Sequence, residues 1–205
     1  MNSSIDVGQP RPRLISQGRA FVYVLPCVFE DILKVGFSRD PVARLQTLHR
    51  RYFEFFDLES ALLIETDNVR DARRIERRLL DALRDHRAPA PRIVPFEAAG
   101  HTEWFRGTAD KLIDLANCLA LEQGYRVHAP LCPWIRSELA QRADLLFEWS
   151  SHAWLQLECL TEAEDRRRAT AALRDALDAY AALDLTLIER IPGEVFNWYH
   201  AQRSG

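Results

Sequence analysis

FVYVLPCVFEDILKVGFSRDPVAR, residues 21–44, decides the fold. Residues 21–25 are a β-branched and aromatic run and read as a strand, and residues 32–37 read as a second. The six residues between them close a hairpin. In Ser38-Arg39-Asp40-Pro41 the aspartate can cap a helix, with proline at its first position, pre-set in φ and needing no donor. Side chains alternate along a strand, so Phe21, Tyr23 and Leu25 share one face. A tyrosine there, Lys34 on the adjoining strand and Arg44 one turn into the helix converge on one shallow surface.

Working outward, Val42, Leu45, Leu48 and Tyr52 recur at helical spacing and predict a short amphipathic helix over 41–52. Arg44 lies off that stripe near the helix N-terminus, where unpaired amides and an arginine fork suit a phosphate. Residues 58–65 read as a third strand. Asp67 is placed to cap a helix to about residue 87, with Val69, Ala72, Ile75, Leu79 and Leu83 as its apolar stripe. Glu76 sits at the edge of that stripe. A carboxylate held beside apolar residues costs several kcal/mol unless it is paired or binds a cation. Two partners are open to it: an ion pair with Arg44 or Arg73, or a Mg²⁺ ion that keeps most of its waters.

Residues 88–100, with three prolines, cannot continue a helix and read as a mobile loop carrying Arg92. Thr108 is placed to cap a further helix, which Gly124 ends. Beyond Tyr125 the pattern is helical throughout: residues 134–159, a segment opened by the Thr161–Glu164 capping box and reaching residue 182, and a last short helix over 194–202. The organisation expected is a flexible leader (1–18), an α+β domain (19–124) with a small three-stranded antiparallel sheet flanked by helices, and an all-helical C-terminal region (125–205). That last region offers a face for a homodimer or a protein partner.

Composition sets outer bounds. The 205 residues are 47% hydrophobic and 28% charged, ordinary for a chain with a proper core. The net charge of −3 excludes a general polycation, but residues 1–106 carry 17 Arg and Lys against 15 Asp and Glu, and residues 107–205 carry 10 against 15. An active half that meets phosphates suits that split. The basic residues are 25 arginines and two lysines, a bias that reads as genomic composition more than selection. Cys27, Cys118, Cys132 and Cys159 have no C-x-x-C spacing and read as reduced, buried thiols, which points to the cytoplasm. No apolar run has transmembrane length, so no membrane is expected. His49 and His101 are lone candidates for proton shuttles.

The ordered set of Phe21-Val22-Tyr23, Lys34-Val35-Gly36, Arg44, the helix segment Ile75-Glu76-Arg77-Arg78-Leu79 and Glu103-Trp104-Phe105 resembles the GIY-YIG nuclease superfamily. Within it, the branch described as the bacteriophage T-five open-reading-frame-172 DNA-binding domain is the most similar. The resemblance covers about residues 18–123. It implies a DNA endonuclease that hydrolyses phosphodiesters with one divalent ion, Mg²⁺ or Mn²⁺, held by Glu76. Tyr23, Lys34 and Arg44 would be catalytic, Ser38, His49 and Trp104 accessory, and Arg39, Arg50, Arg51 and Arg92 contacts to DNA. Tyr23 would orient or deprotonate the attacking water, and Lys34 would supply a nearby cation or take the proton itself. Phe21 stands where the superfamily has glycine, Lys34 where it has tyrosine, and no asparagine matches near Trp104. These departures keep a second reading in view, a catalytically inactive DNA-binding or protein-interaction module of the same fold.

Overall fold

A computed structural model describes residues 18–100 and 102–203. The expected leader, apart from Gly18, and His101 lie outside the described residues. The described residues form two compact units divided between Ile135 and Arg136.

The first unit is built on the hairpin. β1 (Ala20–Pro26) and β2 (Ile32–Ser38) pair antiparallel with Tyr23 opposite Gly36 and Leu25 opposite Lys34. β3 (Leu62–Thr66) pairs with the other side of β1. It starts four residues later than the sequence suggests. The Asp57 carboxylate accepts from the amides of Glu59 and Ser60, and this turn occupies the residues expected to open the strand. The sheet has five strands rather than three, in the order β4-β2-β1-β3-β5 and antiparallel throughout. β4 (Trp104–Arg106) adds to β2, and β5 (Arg126–His128) adds to β3 from within the region expected to be all-helical. Each is three residues long, too short for alternation to show in sequence.

Asp40 caps α1 (Pro41–Leu48) by accepting from the Ala43 amide at 3.1 Å. The helix stops at Leu48 instead of reaching Tyr52. His49 is extended, and a separate turn, α2 (Tyr52–Phe55), brings Tyr52, Phe55 and Phe56 inward together. α3 (Val69–Ala82) is capped by Asn68, not Asp67: the Asn68 side chain accepts from the Asp71 amide at 3.0 Å. The proline-rich stretch holds one short turn, α4 (Phe96–Ala99), and Gly124, left-handed at φ 69°, ends α5 (Ala109–Gln123) as expected. α3 and α5 cover the sheet face that carries Val22, Val24, Leu33 and Val35 with Ala72, Ile75, Leu79, Leu112, Ala116 and Leu119. By alternation Tyr23 and Lys34 belong to the opposite face.

α6 (Cys132–Gln141) carries the chain across the division. The second unit is helical: α7 (Ala143–Cys159), α8 (Ala163–Ala182) and α9 (Gly193–Arg203) bury Trp149, Leu173, Leu177 and Tyr199. The expected capping box before α8 does not form, since Glu162 takes the cap position and makes no side-chain cap bond. The thiols are also less hidden than expected. Cys118 and Cys159 are exposed, Cys27 and Cys132 half-buried, and no disulfide joins them. No helix among the described residues is long and apolar enough to cross a membrane.

Leu79 is fully buried at the centre of the α3 contact, whereas Leu121 is 84% exposed on α5. In thermal or urea denaturation Leu79→Ala is expected to cost about 2–5 kcal/mol. Leu121→Ala should stay within about 0.5 kcal/mol of wild type.

Candidate active site

Tyr23 is the centre of the site because the hairpin leaves its ring one place to lie. The residue opposite is Gly36, and a Cβ built there would stand 2.4 Å from the phenol oxygen and 2.7 Å from Cζ. The ring therefore occupies the space a side chain at position 36 would need. From α1, Arg44 donates through Nε to the Tyr23 hydroxyl at 3.2 Å and through Nη2 to the Ala98 carbonyl of α4 at 2.9 Å. Two of the five guanidinium N–H groups are thereby used, and the others stay available to an anion.

Lys34 lies beside this pair on β2 and is fully buried, its ammonium 5.4 Å from the centre of the Trp104 ring. An ammonium shut away from water needs a counter-charge. Glu103 meets it in direct contact with Nζ, and the Glu103 carbonyl accepts from the Val35 amide at 2.9 Å. Gly100 lies over the pair in the positive-φ region, at 66°; a Cβ there would come within 2.5 Å of the Glu103 carboxylate. Glu103, quoted from the sequence only as part of the Glu103-Trp104-Phe105 match, was not among the candidate site residues, yet it is the group that meets Lys34. Its signal was its place immediately before Trp104, where β4, a strand too short to predict, begins.

Glu76 enters from α3, on the other layer. Among the described residues it makes no hydrogen bond or direct ion pair, so the expected bridge to Arg44 or Arg73 is not formed. It remains within electrostatic range of Glu103, Lys34, Arg73 and Arg77. Burial and then the like charge of Glu103 push its pKa up from 4.5 to about 7, against the pull of those cations. The Tyr23 phenol is pushed up to about 12, mainly by burial, which outweighs the opposing effect of Arg44; Glu103 and Glu76 add to the rise. The cation beside it, Arg44, lowers the phenol less than burial raises it, and the protonated form is favoured. Burial lowers the Lys34 pKa although Glu103 works against it.

The remaining sequence candidates are placed less centrally. The Ser38 hydroxyl is engaged in the turn before α1, accepting from the Asp40 amide at 3.0 Å. His49 stacks on Phe55 with ring centres 4.6 Å apart. Trp104 is fully buried beneath Lys34 and acts as a wall. Arg39, Arg50 and Arg92 are exposed, whereas Arg51 is tied to Glu54 at 2.5 Å. Among the described residues no three His, Cys, Asp or Glu side chains group as a ready-made metal cage. The donor set nevertheless fits a hard, well-hydrated cation. Glu76 offers half-buried carboxylate oxygens that have no direct partner among the described residues, and the Glu103 carboxylate lies close enough to raise its pKa.

Residues 20–120 match the family model of the T5orf172 domain, and this part of the chain is a T5orf172 domain, related to GIY-YIG domains. No curated protein and no solved structure matches the chain.

Two outcomes follow from this geometry. Between pH 4.5 and about 7 the folded protein holds a proton on Glu76 that the unfolded chain has released, so Glu76 makes stability fall as pH rises through that window. Melting curves should show the Tm of Glu76→Gln rising relative to wild type between pH 5 and 7.5; a constant difference would remove the raised pKa. Gly36→Ala should drive the Tyr23 ring from its place and lower Tm by several degrees. Gly193→Ala, where an added Cβ meets nothing within 4 Å, should not.

Proposed function

We propose that the T5orf172 domain is a Mg²⁺-dependent DNA endonuclease whose working groups are Tyr23, Lys34, Arg44, Glu76 and Glu103. The observation that supports this reading is the bond of Arg44, with donors to spare, to the Tyr23 phenol beside the Lys34–Glu103 pair, with the Glu76 carboxylate in electrostatic range of that pair. Each has a part in hydrolysing a phosphodiester, where water attacks phosphorus as the P–O3′ bond breaks and the leaving oxygen takes a proton.

Arg44 binds a non-bridging phosphate oxygen with its unused N–H groups and offsets the charge that builds there in the transition state. Its bonds to Tyr23 and Ala98 hold the guanidinium in place before substrate arrives, so little ordering cost is left for the reaction. Tyr23 accepts from Arg44, which leaves its own O–H free to orient the attacking water. Glu103 is the more exposed member of its pair, with 29% of its side chain accessible against none for Lys34. A proton lost by the water therefore passes to the pair through the carboxylate. Glu76 would hold the divalent ion, with water filling most of the coordination shell; when bound, the ion supplies Lewis acidity at the phosphate and to the leaving oxygen. Because Glu76 must be ionised to bind it, metal affinity rises as pH passes upward through about 7.

One observation favours the second reading, DNA binding without cleavage. The phenol, pushed up to about 12, is no base at neutral pH, and Lys34 is fully buried with its Nζ engaged by Glu103. The same experiment separates the two. Supercoiled plasmid incubated with protein and Mg²⁺ should be nicked, with a rate that climbs between pH 6 and 8. Arg44→Ala and Glu76→Ala should each lower that rate by about 100-fold or more. Mg²⁺ should also raise the Tm of wild type at pH 7.5 and leave Glu76→Ala unmoved, a readout independent of turnover. Nicking that persists in both variants would exclude this site as its source, and salt-sensitive binding without nicking would select the non-cleaving module.

A further inference from the structure

α3 does more than present Glu76. Its sequence, VRDARRIERRLLDA, places Arg70, Arg73, Arg74, Arg77 and Arg78 at helical neighbour spacings, away from the buried stripe of Ala72, Ile75 and Leu79. These five line a surface groove of about 980 Å³ together with Val69, Asp81, Ala82 and Leu115 of α5. A solvated surface helix normally interleaves its arginines with acids that pair them. Here only two are so held. Arg74 contacts Asp71 at 3.2 Å and Gln123 at 3.0 Å, and Arg78 contacts Glu122 at 3.1 Å. Among the described residues Arg70, Arg73 and Arg77 make no direct ion pair, and Arg73 lies over the Phe37 ring at 5.4 Å. The groove thus has an apolar floor, a surplus of positive charge and guanidinium forks without carboxylates.

The groove also connects with the site. Arg73 and Arg77 both line it and both act electrostatically on Glu76, so its positive field runs up to the carboxylate. From Arg70 to Arg78 the helix rises about 12 Å. One strand of a duplex presents a phosphate roughly every 3.4 Å along its axis, so about three or four phosphates span that distance.

We infer that the arginine-lined groove of α3 is the track for the DNA phosphate backbone flanking the scissile position, binding it without reading its sequence. This rests on the proposed action on DNA. The groove supplies affinity and alignment, and Glu76 and Arg44 act on the one phosphate that reaches the site. Guanidinium forks match phosphate oxygens, and such contacts carry no base information.

The test uses Arg70→Ala/Arg77→Ala in the full chain, with fold checked by circular dichroism. Arg167→Ala/Arg168→Ala on α8 removes the same charge elsewhere. Binding of a 30-base-pair fluorescent duplex is followed by anisotropy over a range of NaCl concentrations. The groove variant should bind at least about tenfold more weakly, and its slope of log affinity against log salt should flatten by about 1.8, the value for two lost phosphate contacts. The α8 variant should keep the wild-type affinity and slope. Wild-type-like binding by the groove variant overturns the inference, as does an equal loss in the α8 variant or the absence of any DNA binding by wild type. If wild type binds through the groove but does not nick plasmid, the nuclease reading fails and the track stands. If the groove variant both binds and nicks as wild type, the track fails and the nuclease reading stands.

Discussion

A lysine with no access to water sets the terms for the rest of this domain. Burying an ammonium costs several kcal/mol unless a counter-ion follows it inside, and on β2 the chain answers Lys34 with Glu103. That pairing couples two segments nearly seventy residues apart. Trp104 is held opposite Lys34 in the sheet, and the Glu103 carbonyl closes onto Val35. The approach to β4 passes through Gly100, where a side chain would strike the carboxylate. The short turn just before it offers the Ala98 carbonyl to Arg44, and Arg44 in turn holds the Tyr23 hydroxyl. A single electrostatic requirement thus runs from the hidden cation through the edge strand to the guanidinium and the phenol.

Tyr23, Glu76 and Lys34 all titrate away from their ordinary values, and burial is the largest influence on each of the three. It raises the phenol, raises the Glu76 carboxyl and lowers the lysine, in every case favouring the neutral form. The nearby arginines and the paired charges only partly offset this. Among the described residues Glu76 alone of these groups has no direct partner, and its carboxyl is raised to about 7.

α3 serves three purposes on three sides of one helix. Ala72, Ile75 and Leu79 fasten it to the sheet, Glu76 lies in electrostatic range of Lys34 and Glu103, and the arginines line a groove. Helical periodicity makes that division possible, because residues three and four apart share a face while their immediate neighbours do not. Arginine richness over the whole chain says little, with 25 spread through it. Five on one helix, three of them without a direct acid partner, is a different matter.

Local chemistry was legible without coordinates. Residues 21–44 announced the hairpin, the Asp40 cap and the helix behind it, and alternation placed Tyr23 and Lys34 on a common face. Apolar spacing on α3 marked Glu76 as a carboxylate out of its usual surroundings. Asn68 took the cap from Asp67, and α1 broke at His49, because competing side-chain acceptors and a cluster of inward-turning aromatics decide such ends from outside the segment. What folding alone decided was the company each residue keeps. β4 and β5 are three residues long and owe their existence to the neighbours they pair with, so no pattern of their own could reveal them. Glu103 belongs to the site for the same reason: the sequence by itself determined which side chains could carry the chemistry, but the need to neutralise a buried lysine, felt only once the sheet is assembled, determined which carboxylate meets it.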